Sequence, residues 1–281
     1  MVTMLQQPDL SHVHRINEAA ECGNVYAQYR IGLLYMEGKD VQQDCEVAAQ
    51  WFLKAAQQDH VNAKFNLGIL YYNGSGLIQD YSIAAQWFNK AADQDHVEAQ
   101  HNLGVMYEDG KGVPRNVMAA FEWYSKAAEQ DDAKAQKKLG NLYYSGSGVS
   151  QDYTKAALWF RKAAIQGDAK AQNNLGMMYK NGHGVTQNYA AATQWLTLAA
   201  EQDYALAQYN LGILYYESNN YIQARLWLTR AAVIRDFEVQ NFCSHIEREL
   251  NAEQLKTAQK LSVELLKIIE YDKKTSPSIS V

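Results

Sequence analysis

Apolar, small and polar residues recur along this chain at a fixed interval of 36 residues. Within residues 59–94, Ala63, Leu67 and Leu70 follow helical spacing, so their side chains share one face. Similar phrases, such as AKFNLGILYYNG and AQNNLGMMYKNG, begin at Ala27, Ala63, Ala99, Ala135, Ala171 and Ala207. The pattern predicts six copies of one amphipathic helix, which we name helix A.

A second helix, helix B, is predicted after a glycine-rich break in each period. Gly74 and Gly76 end helix A, and Asp80 is a strong N-cap type for a helix over about residues 81–94. Ala84 and Trp87 begin the predicted inner face of this helix, and we expect each tryptophan to be a core residue. The tryptophans in phase are Trp51, Trp87, Trp123, Trp159, Trp195 and Trp227. One helical hairpin cannot bury both of its sides, so the hairpins are expected to stack.

A glycine stands inside every predicted helix A, at positions 32, 68, 104, 140, 176 and 212. Glycine costs about 1 kcal/mol in a helix interior relative to alanine. The close approach of a neighbouring helix, which a Cβ atom would block, is the best physical reason for it.

These residues carry a resemblance to a known family. The pattern A-x-x-x-L-G-x-x-Y, followed by G-x-G-V-x-x-D-Y-x-x-A-x-x-W-x-x-x-A-A, resembles the Sel-one-like repeat (SLR) family, which is related to the tetratricopeptide repeats. The resemblance implies an all-α fold, a right-handed α-α superhelical solenoid with helical caps, whose concave face is lined by the A helices. It also implies a scaffold or adaptor for other proteins. The sixth repeat departs from the pattern because it lacks the glycine loop.

The same pattern predicts the organisation of the chain. Residues 1–23 form an N-terminal capping half-repeat, 24–235 six repeats, 236–272 C-terminal capping helices and 273–281 a disordered tail. Within the C-terminal cap, DFEVQNFCSHIEREL is expected to be a degenerate helix A, and Asn251 is expected to cap a polar helix.

Composition narrows the function classes. The chain has 26 basic and 31 acidic residues, a net charge of −5, which does not fit a nucleic-acid binder. No apolar run approaches the roughly 20 residues of a membrane span. Cys22, Cys45 and Cys243 share no phase in the repeat, so we interpret them as free thiols in a reducing compartment. We expect a bacterial cytoplasmic protein, with delivery into another cell by a signal-less secretion route as the alternative.

No catalytic, cofactor or metal motif emerges. No serine has a lysine three residues later, and no His-Glu-x-x-His is present. His60 and His96 are in phase but have no second ligand at metal spacing, so we expect cap or surface roles for them. We therefore predict a protein that is not an enzyme and needs no cofactor or metal.

The resemblance places a partner site on the concave positions of helix A. Tyr29, Phe65, Tyr72, Tyr209 and Tyr216 would be exposed aromatic anchors, while Lys137 and Lys180 would select acidic partners. The complete predicted set is Tyr29, Phe65, Asn66, Tyr72, His101, Asn102, Lys137, Asn141, Tyr144, Asn174, Lys180, Tyr209, Asn210 and Tyr216.

Two features of this set leave alternatives open. Asparagines recur just before the Leu-Gly pair, at 66, 102, 174 and 210, and would either form a ladder along a bound peptide or bond within their own repeats. Lys137, Asn141 and Asn174 match part of the tetratricopeptide carboxylate clamp. Leu206 and Asn210 stand where that clamp has basic residues.

The leading hypothesis is a non-enzymatic protein-interaction scaffold that binds an extended, acidic segment with a hydrophobic anchor. One alternative is a binder or hydrolase of cell-wall fragments or another small ligand, which would need a deep pocket with a nucleophile and a base. The other is a self-assembling structural module, which would bury Phe65 and Tyr72 against a second copy.

Overall fold

The computed structural model describes residues 10–232, 246, 250–257, 260–261 and 263. Between residues 10 and 232 it contains thirteen α-helices of 12 or 13 residues and no strand. The helices are α1 (Leu10–Glu21), α2 (Val25–Glu37), α3 (Cys45–Gln57), α4 (Val61–Asn73), α5 (Tyr81–Ala92), α6 (Val97–Asp109), α7 (Val117–Glu129), α8 (Ala133–Ser145), α9 (Tyr153–Ile165), α10 (Ala169–Asn181), α11 (Tyr189–Glu201), α12 (Ala205–Glu217) and α13 (Tyr221–Ala232). The predicted all-α class and the six helix-turn-helix repeats are confirmed.

The contacts between helices divide the chain into two compact units. Unit 1 comprises residues 1–139 with 147–149, and unit 2 comprises residues 140–146 with 150–281. Within each unit, an A helix packs against its own B helix, as α4 packs against α5, and a B helix packs against the next A helix. This is the arrangement of an α-solenoid.

The turns between A and B helices contain the predicted glycines and N-cap residues. Gly74 ends α4 in the left-handed region, with φ of 72°, and Gly76 has φ of 68°. Asp80 begins α5, since its side chain accepts hydrogen bonds from the backbone N–H groups of Ser82 and Ile83. The predicted B-helix caps at 44, 80, 116, 152, 188 and 220 all accept such a bond.

The interior glycines permit close helix contact, as expected. A Cβ atom on Gly68 would lie 2.5 Å from the ring of Phe88 on α5, which is a steric clash. The same contact recurs in every repeat, 20 residues after the glycine in the first five and 16 residues after it in the sixth. The contacting residues are Phe52, Phe88, Tyr124, Phe160, Leu196 and Leu228. The neighbour that requires glycine is therefore the B helix of the same repeat.

These contacts correct the prediction for the tryptophans. Phe88 is 1% exposed, whereas its neighbour Trp87 is only half-buried. Trp87 packs against the core of the preceding repeat, and the Lys90 ammonium lies 4.2 Å from its ring centroid. The fully buried side chain of each period is thus the residue after the tryptophan, an aromatic ring in the first four repeats and a leucine in the last two. Of the six tryptophans, Trp51 is buried as predicted, at 7% exposed.

Buried glutamines connect five of the six A helices to the helix before them. Gln100 is fully buried, and its side-chain amide donates to the carbonyl oxygen of Ala92 at 3.2 Å. The same bond occurs in four further places, from Gln28, Gln136, Gln172 and Gln208. The carbonyl oxygen of Ala92 also accepts from the backbone N–H of Asp95 at 3.0 Å, so the glutamine is its second donor and joins the turn to the next A helix.

The ends of the chain are described in part. Helix α1 lies within the predicted N-terminal cap and packs on α2. Asn251 caps residues 252–257 as predicted, since its side chain accepts from the N–H of Gln254 at 2.9 Å. The predicted degenerate helix A lies mostly outside the described residues, as do the C-terminal tail and Cys243.

Candidate functional site

In unit 1, the aromatic side chains predicted as anchors are partly covered by the chain itself. Tyr29 on α2 stacks on the ring of His60 with centroids 4.4 Å apart, and Phe65 on α4 stacks on His96 at 4.5 Å. Both aromatic residues are half-buried, which corrects the expectation that they are exposed. Burial raises the pKa of Tyr29 even though Asn66 hydrogen-bonds to its hydroxyl.

The covering histidines are N-caps, one of the two roles predicted for them. The Nδ1 atom of His60 accepts from the backbone N–H of Ala63 at 3.2 Å, and that of His96 accepts from Ala99 at 3.3 Å. Because Nδ1 must be unprotonated to accept, both caps require a neutral ring. Burial lowers the pKa of both histidines.

His101 occupies the position of Tyr29 and Phe65 in the third repeat. Its Nδ1 lies 3.3 Å from Oδ1 of Asp132, whose carboxylate also accepts from the N–H of Ala135 at 2.6 Å. Burial would raise the pKa of Asp132, but the contact with His101 and this N–H lower it. A polar pair thus replaces the aromatic stack in the same geometry.

Tyr72 is also engaged within unit 1. Its ring lies 5.0 Å from that of Tyr81, and its hydroxyl accepts from the ammonium of Lys111 at 3.3 Å. This hydrogen bond raises the pKa of Lys111. Asn102 and Lys137, the remaining predicted residues of unit 1, are half-buried on α6 and α8.

In unit 2, three of the predicted residues meet at one cleft. Asn141 and Tyr144 on α8 and Asn174 on α10 line a cavity of about 290 Å³. Phe160 and Met178 are almost fully buried at this cleft, and the half-buried Met177 also lines it. We name this cavity the α8–α10 cleft. It combines exposed carboxamides with an apolar lining, the usual composition of a small binding site.

A row of hydrogen-bonded asparagines extends from this cleft across three A helices. Asn174 donates to Oδ1 of Asn141 at 3.3 Å, and Asn173 donates to Oδ1 of Asn174 at 3.3 Å. Asn210 on α12 donates to Oδ1 of Asn173 at 2.8 Å. We name Asn141, Asn174, Asn173 and Asn210 the asparagine row. Asn174 and Asn210 therefore both bond to a neighbouring repeat, and Asn174 also bonds within its own.

The other predicted residues of unit 2 make internal contacts. The ammonium of Lys180 lies 2.7 Å from Oε1 of Glu217, so its charge is already balanced. Tyr209 and Tyr216 pack against the core formed by α13, and both are half-buried. Of the residues predicted from the sequence, the structure brings Asn141, Tyr144 and Asn174 together at the cleft, and it joins Asn210 to them through Asn173. Sequence reasoning missed Phe160, for which the recurrence of a large apolar residue after each tryptophan was the available signal.

The arrangement provides hydrogen-bonding groups and apolar surface rather than reactive chemistry. Among the described residues, no group of three or more His, Cys, Asp or Glu side chains is placed to hold a metal ion. Over the same residues, no helix is both long and apolar enough to cross a membrane. Cys22 is exposed and Cys45 half-buried, and both are free thiols.

Comparison with known proteins identifies the repeat. The family model described as "Sel1 repeat" matches residues 25–60, 61–96, 97–132, 133–168, 169–204 and 205–232. These are the six helical hairpins of the structure, from the start of each A helix to the turn after each B helix. A search of curated proteins finds no match.

Solved structures of similar proteins agree with the family match. A protective antigen of uropathogenic Escherichia coli with an SLR fold is 34% identical with a TM-score of 0.81, over 89% of this chain. The match covers 56% of that antigen's chain. A Sel1 repeat protein from Oxalobacter formigenes is 31% identical with a TM-score of 0.67, over 73% of this chain and 90% of its own. The six matched repeats, their hairpin structure and these two relatives show that the chain belongs to the Sel1-repeat family.

Proposed function

We propose that this protein is a non-enzymatic scaffold or adaptor that binds an extended segment of a partner protein along its A helices. Sel1-repeat proteins generally act as protein-interaction scaffolds and are generally non-catalytic. The observation that carries the proposal for this chain is the asparagine row, which continues from the α8–α10 cleft.

Carboxamides suit the backbone of an extended peptide. Asn141, Asn174 and Asn210 each offer two N–H donors and an oxygen with two lone pairs, and the row uses only part of this capacity. Asn173 is buried and links Asn174 to Asn210. An extended segment presents alternating N–H and C=O groups with the same needs. Since the row fixes its own side chains, a peptide bound along it would meet donors and acceptors whose positions are already set, which reduces the entropy lost on binding.

The cleft would hold the hydrophobic anchor of the partner. Its volume of about 290 Å³ suits one large apolar side chain lying against Phe160 and Met177, with Tyr144 at the side. Acidic groups of the partner would reach Lys180, whose ammonium has donors beyond the one used by Glu217. Tyr29, Phe65 and Tyr72 would contribute the exposed parts of their rings in unit 1. Free thiols at Cys22 and Cys45 suit the reducing cytoplasm of a bacterium.

The test is capture of partners from lysate of the source cells, with a variant of the cleft and a matched control. Met177→Arg places a charge in the cleft, whereas Gln86→Arg places the same charge on the exposed face of α5. We expect a partner held by the wild type and by Gln86→Arg, and at least tenfold depleted with Met177→Arg in quantitative mass spectrometry.

A second variant tests the row itself. Asn174→Ala with Asn210→Ala should weaken binding of the same partner and leave the helical circular dichroism spectrum unchanged. If the Met177→Arg variant captures the same partners as the wild type, the A helices are not the binding surface and the proposal is refuted.

A further inference from the structure

The sixth repeat lacks most of the loop that joins helices A and B in the other repeats. In the fifth repeat, residues 182–187 (Gly-His-Gly-Val-Thr-Gln) connect α10 to the N-cap of α11. In the sixth, only Ser218 and Asn219 connect α12 to the N-cap of α13. Two residues therefore replace six, although the N-cap Asn220 is retained.

In the sister repeats this loop has a defined seat. Its second glycine packs on the first turn of the B helix of the preceding repeat, within each unit. A Cβ atom would lie 2.4 Å from the backbone of Cys45 if placed on Gly76, and 2.2 Å from the carbonyl oxygen of Tyr81 or Tyr153 if placed on Gly112 or Gly184. The seat accepts glycine alone, because both the space and the φ values of 67–70° exclude side chains.

The residue after this glycine completes the seat with an apolar contact. Leu77 packs against the core cluster that contains Leu70, and Val113 packs against the cluster that contains Met106. Leu214 is the residue of α12 in phase with Leu70 and Met106. The seat thus consists of the first turn of a B helix and the apolar cluster that this helix forms with the next A helix, which in the last repeats contains Leu214.

On α11 this seat is open in the part of the chain that the structure describes. Tyr189 is 54% exposed, whereas Tyr81 and Tyr153, its counterparts under a loop, are half-buried. A cleft of about 510 Å³ lies there, bounded by Tyr189, Ala190, Thr193, Leu214 and Tyr215. We name it the α11–α12 cleft. It occupies the place that the missing loop residues would fill.

We propose that the α11–α12 cleft binds a glycine-containing turn of a partner polypeptide, of the form Gly-x-Gly followed by valine or leucine. The partner's second glycine lies on the first turn of α11, and its aliphatic side chain lies against Leu214. The chain itself shows that this geometry fits, since its own Gly-x-Gly loops occupy the equivalent seats. Those loops already occupy seats on the preceding repeats of their own chain, so the turn comes from a partner and not from a second copy. This site is separate from the asparagine row.

The test uses the full chain and a fluorescein-labelled peptide with the sequence of residues 181–189, NGHGVTQNY. We expect saturable binding by fluorescence anisotropy. A loop-restored variant, in which residues 182–187 are copied in place of Ser218 and Asn219, should bind at least tenfold more weakly because its own loop fills the seat. Its thermal midpoint should equal or exceed that of the wild type, which shows that it folds.

Two controls keep the result specific. The peptide with its second glycine replaced by valine should not bind, since a Cβ atom cannot enter the seat. Asn141→Ala, which removes an exposed side chain of α8 from the asparagine row, should leave peptide binding unchanged, so failure at the row and failure at this cleft are distinguishable. Absence of saturable binding, or equal binding by the wild type and the loop-restored variant, would overturn the proposal. A wild-type dimer that the restored loop converts to a monomer, measured by analytical ultracentrifugation, would also overturn it in favour of a second copy as the occupant.

Discussion

The second repeat, residues 61–96, and the third, residues 97–132, have the same backbone but different side chains at their centres. In both, a Cβ atom added to the glycine inside helix A would lie 2.5 Å from an aromatic ring of helix B. That ring is Phe88 in the second repeat and Tyr124 in the third. Both rings are at most 1% exposed.

The hydroxyl group of Tyr124 changes the chemistry around it. It donates to Oε2 of Glu108 at 2.5 Å, and the ammonium of Lys138 lies 2.7 Å from the same oxygen. Burial would raise the pKa of Glu108, but these two hydrogen bonds outweigh it and lower the pKa. Burial, with the hydrogen bond to Glu108, raises the pKa of Tyr124.

One period before Glu108 and Lys138, the equivalent positions hold Tyr72 in the second repeat and Asn102 on the first helix of the third. The buried ring of the second repeat is a phenylalanine, which needs no acceptor. The comparison shows that the two repeats keep the same glycines and N-cap positions, which determine the backbone. The side chains around the buried ring differ together rather than one at a time. A buried hydroxyl appears together with its acceptor and with the cation that balances that acceptor.

The largest expected effect is loss of the shared ring. Phe88→Ala should lower the free energy of unfolding by about 3–5 kcal/mol, the usual cost of emptying such a site. Trp87→Ala should cost less, because the indole is only half-buried. Urea unfolding followed by circular dichroism measures both. If Trp87→Ala lowers the free energy of unfolding more than Phe88→Ala does, the tryptophan is the main core residue, as the sequence pattern predicted.

The next effect tests whether the substitutions form a set. Phe88→Tyr should destabilise by about 1–3 kcal/mol, because the new hydroxyl is buried without an acceptor. Adding Tyr72→Glu and Asn102→Lys reproduces the set around Tyr124 and should recover most of the loss. If the triple variant is no more stable than Phe88→Tyr, the set is not the reason for the difference between the repeats.

The sequence predicted the helices, interior glycines and N-caps of these repeats better than the contacts between their side chains. Gly68 and Asp80 could be interpreted from single-residue physics, because a glycine inside a helix and an aspartate before one have few explanations. Phe88 was missed because Trp87 and Phe88 are both apolar and lie three and four residues after Ala84, so helical spacing does not separate them. The stack of Phe65 on His96 joins residues 31 positions apart, which periodicity within one helix does not reveal. A comparison among repeats was the available signal, since aromatic residues at 29 and 65 accompany histidines at 60 and 96, whereas His101 accompanies Asp132.

The same limit applied to the candidate sites. Asparagines at 141, 174 and 210 were predicted as partner-binding residues, but their bonds to neighbouring repeats depend on how the hairpins stack. The short loop of the sixth repeat was visible in the sequence. The cleft that it leaves was not, because only the packing of the sister loops shows which surface they cover.

A smaller effect is the pH dependence of the free energy of unfolding, which arises from the histidine caps of these repeats. Burial lowers the pKa of His60 and His96, the caps at the start of the second repeat and at its junction with the third. A folded pKa below the unfolded value means that the caps stabilise the fold above pH 6.5, the ordinary histidine pKa, and that this is lost as pH falls through the folded pKa. We expect unfolding free energy to drop by up to about 1 kcal/mol per histidine between pH 7.5 and 5.5, the usual worth of an N-cap.

Matched caps provide the control for this pH effect. Asn24 caps α2 in the equivalent position, so His60→Asn and His96→Asn should retain the cap and remove most of the slope. A slope that survives both substitutions would exclude these caps as its origin.

The smallest effect concerns a feature in which the two repeats agree. Lys90 lies 4.2 Å from the ring centroid of Trp87, and Lys126 lies 4.2 Å from that of Trp123. Because this contact is on the outer side of helix B, it should not depend on whether the buried ring is Phe88 or Tyr124. Lys90→Met and Lys126→Met should therefore each cost the same, about 0.5–1 kcal/mol, the range for exposed cation–π pairs. Urea unfolding of the two variants measures the difference. If only one of the two variants loses stability, the identity of the buried ring affects the contact on the outer side of helix B. The two sides of that helix would then not be energetically independent.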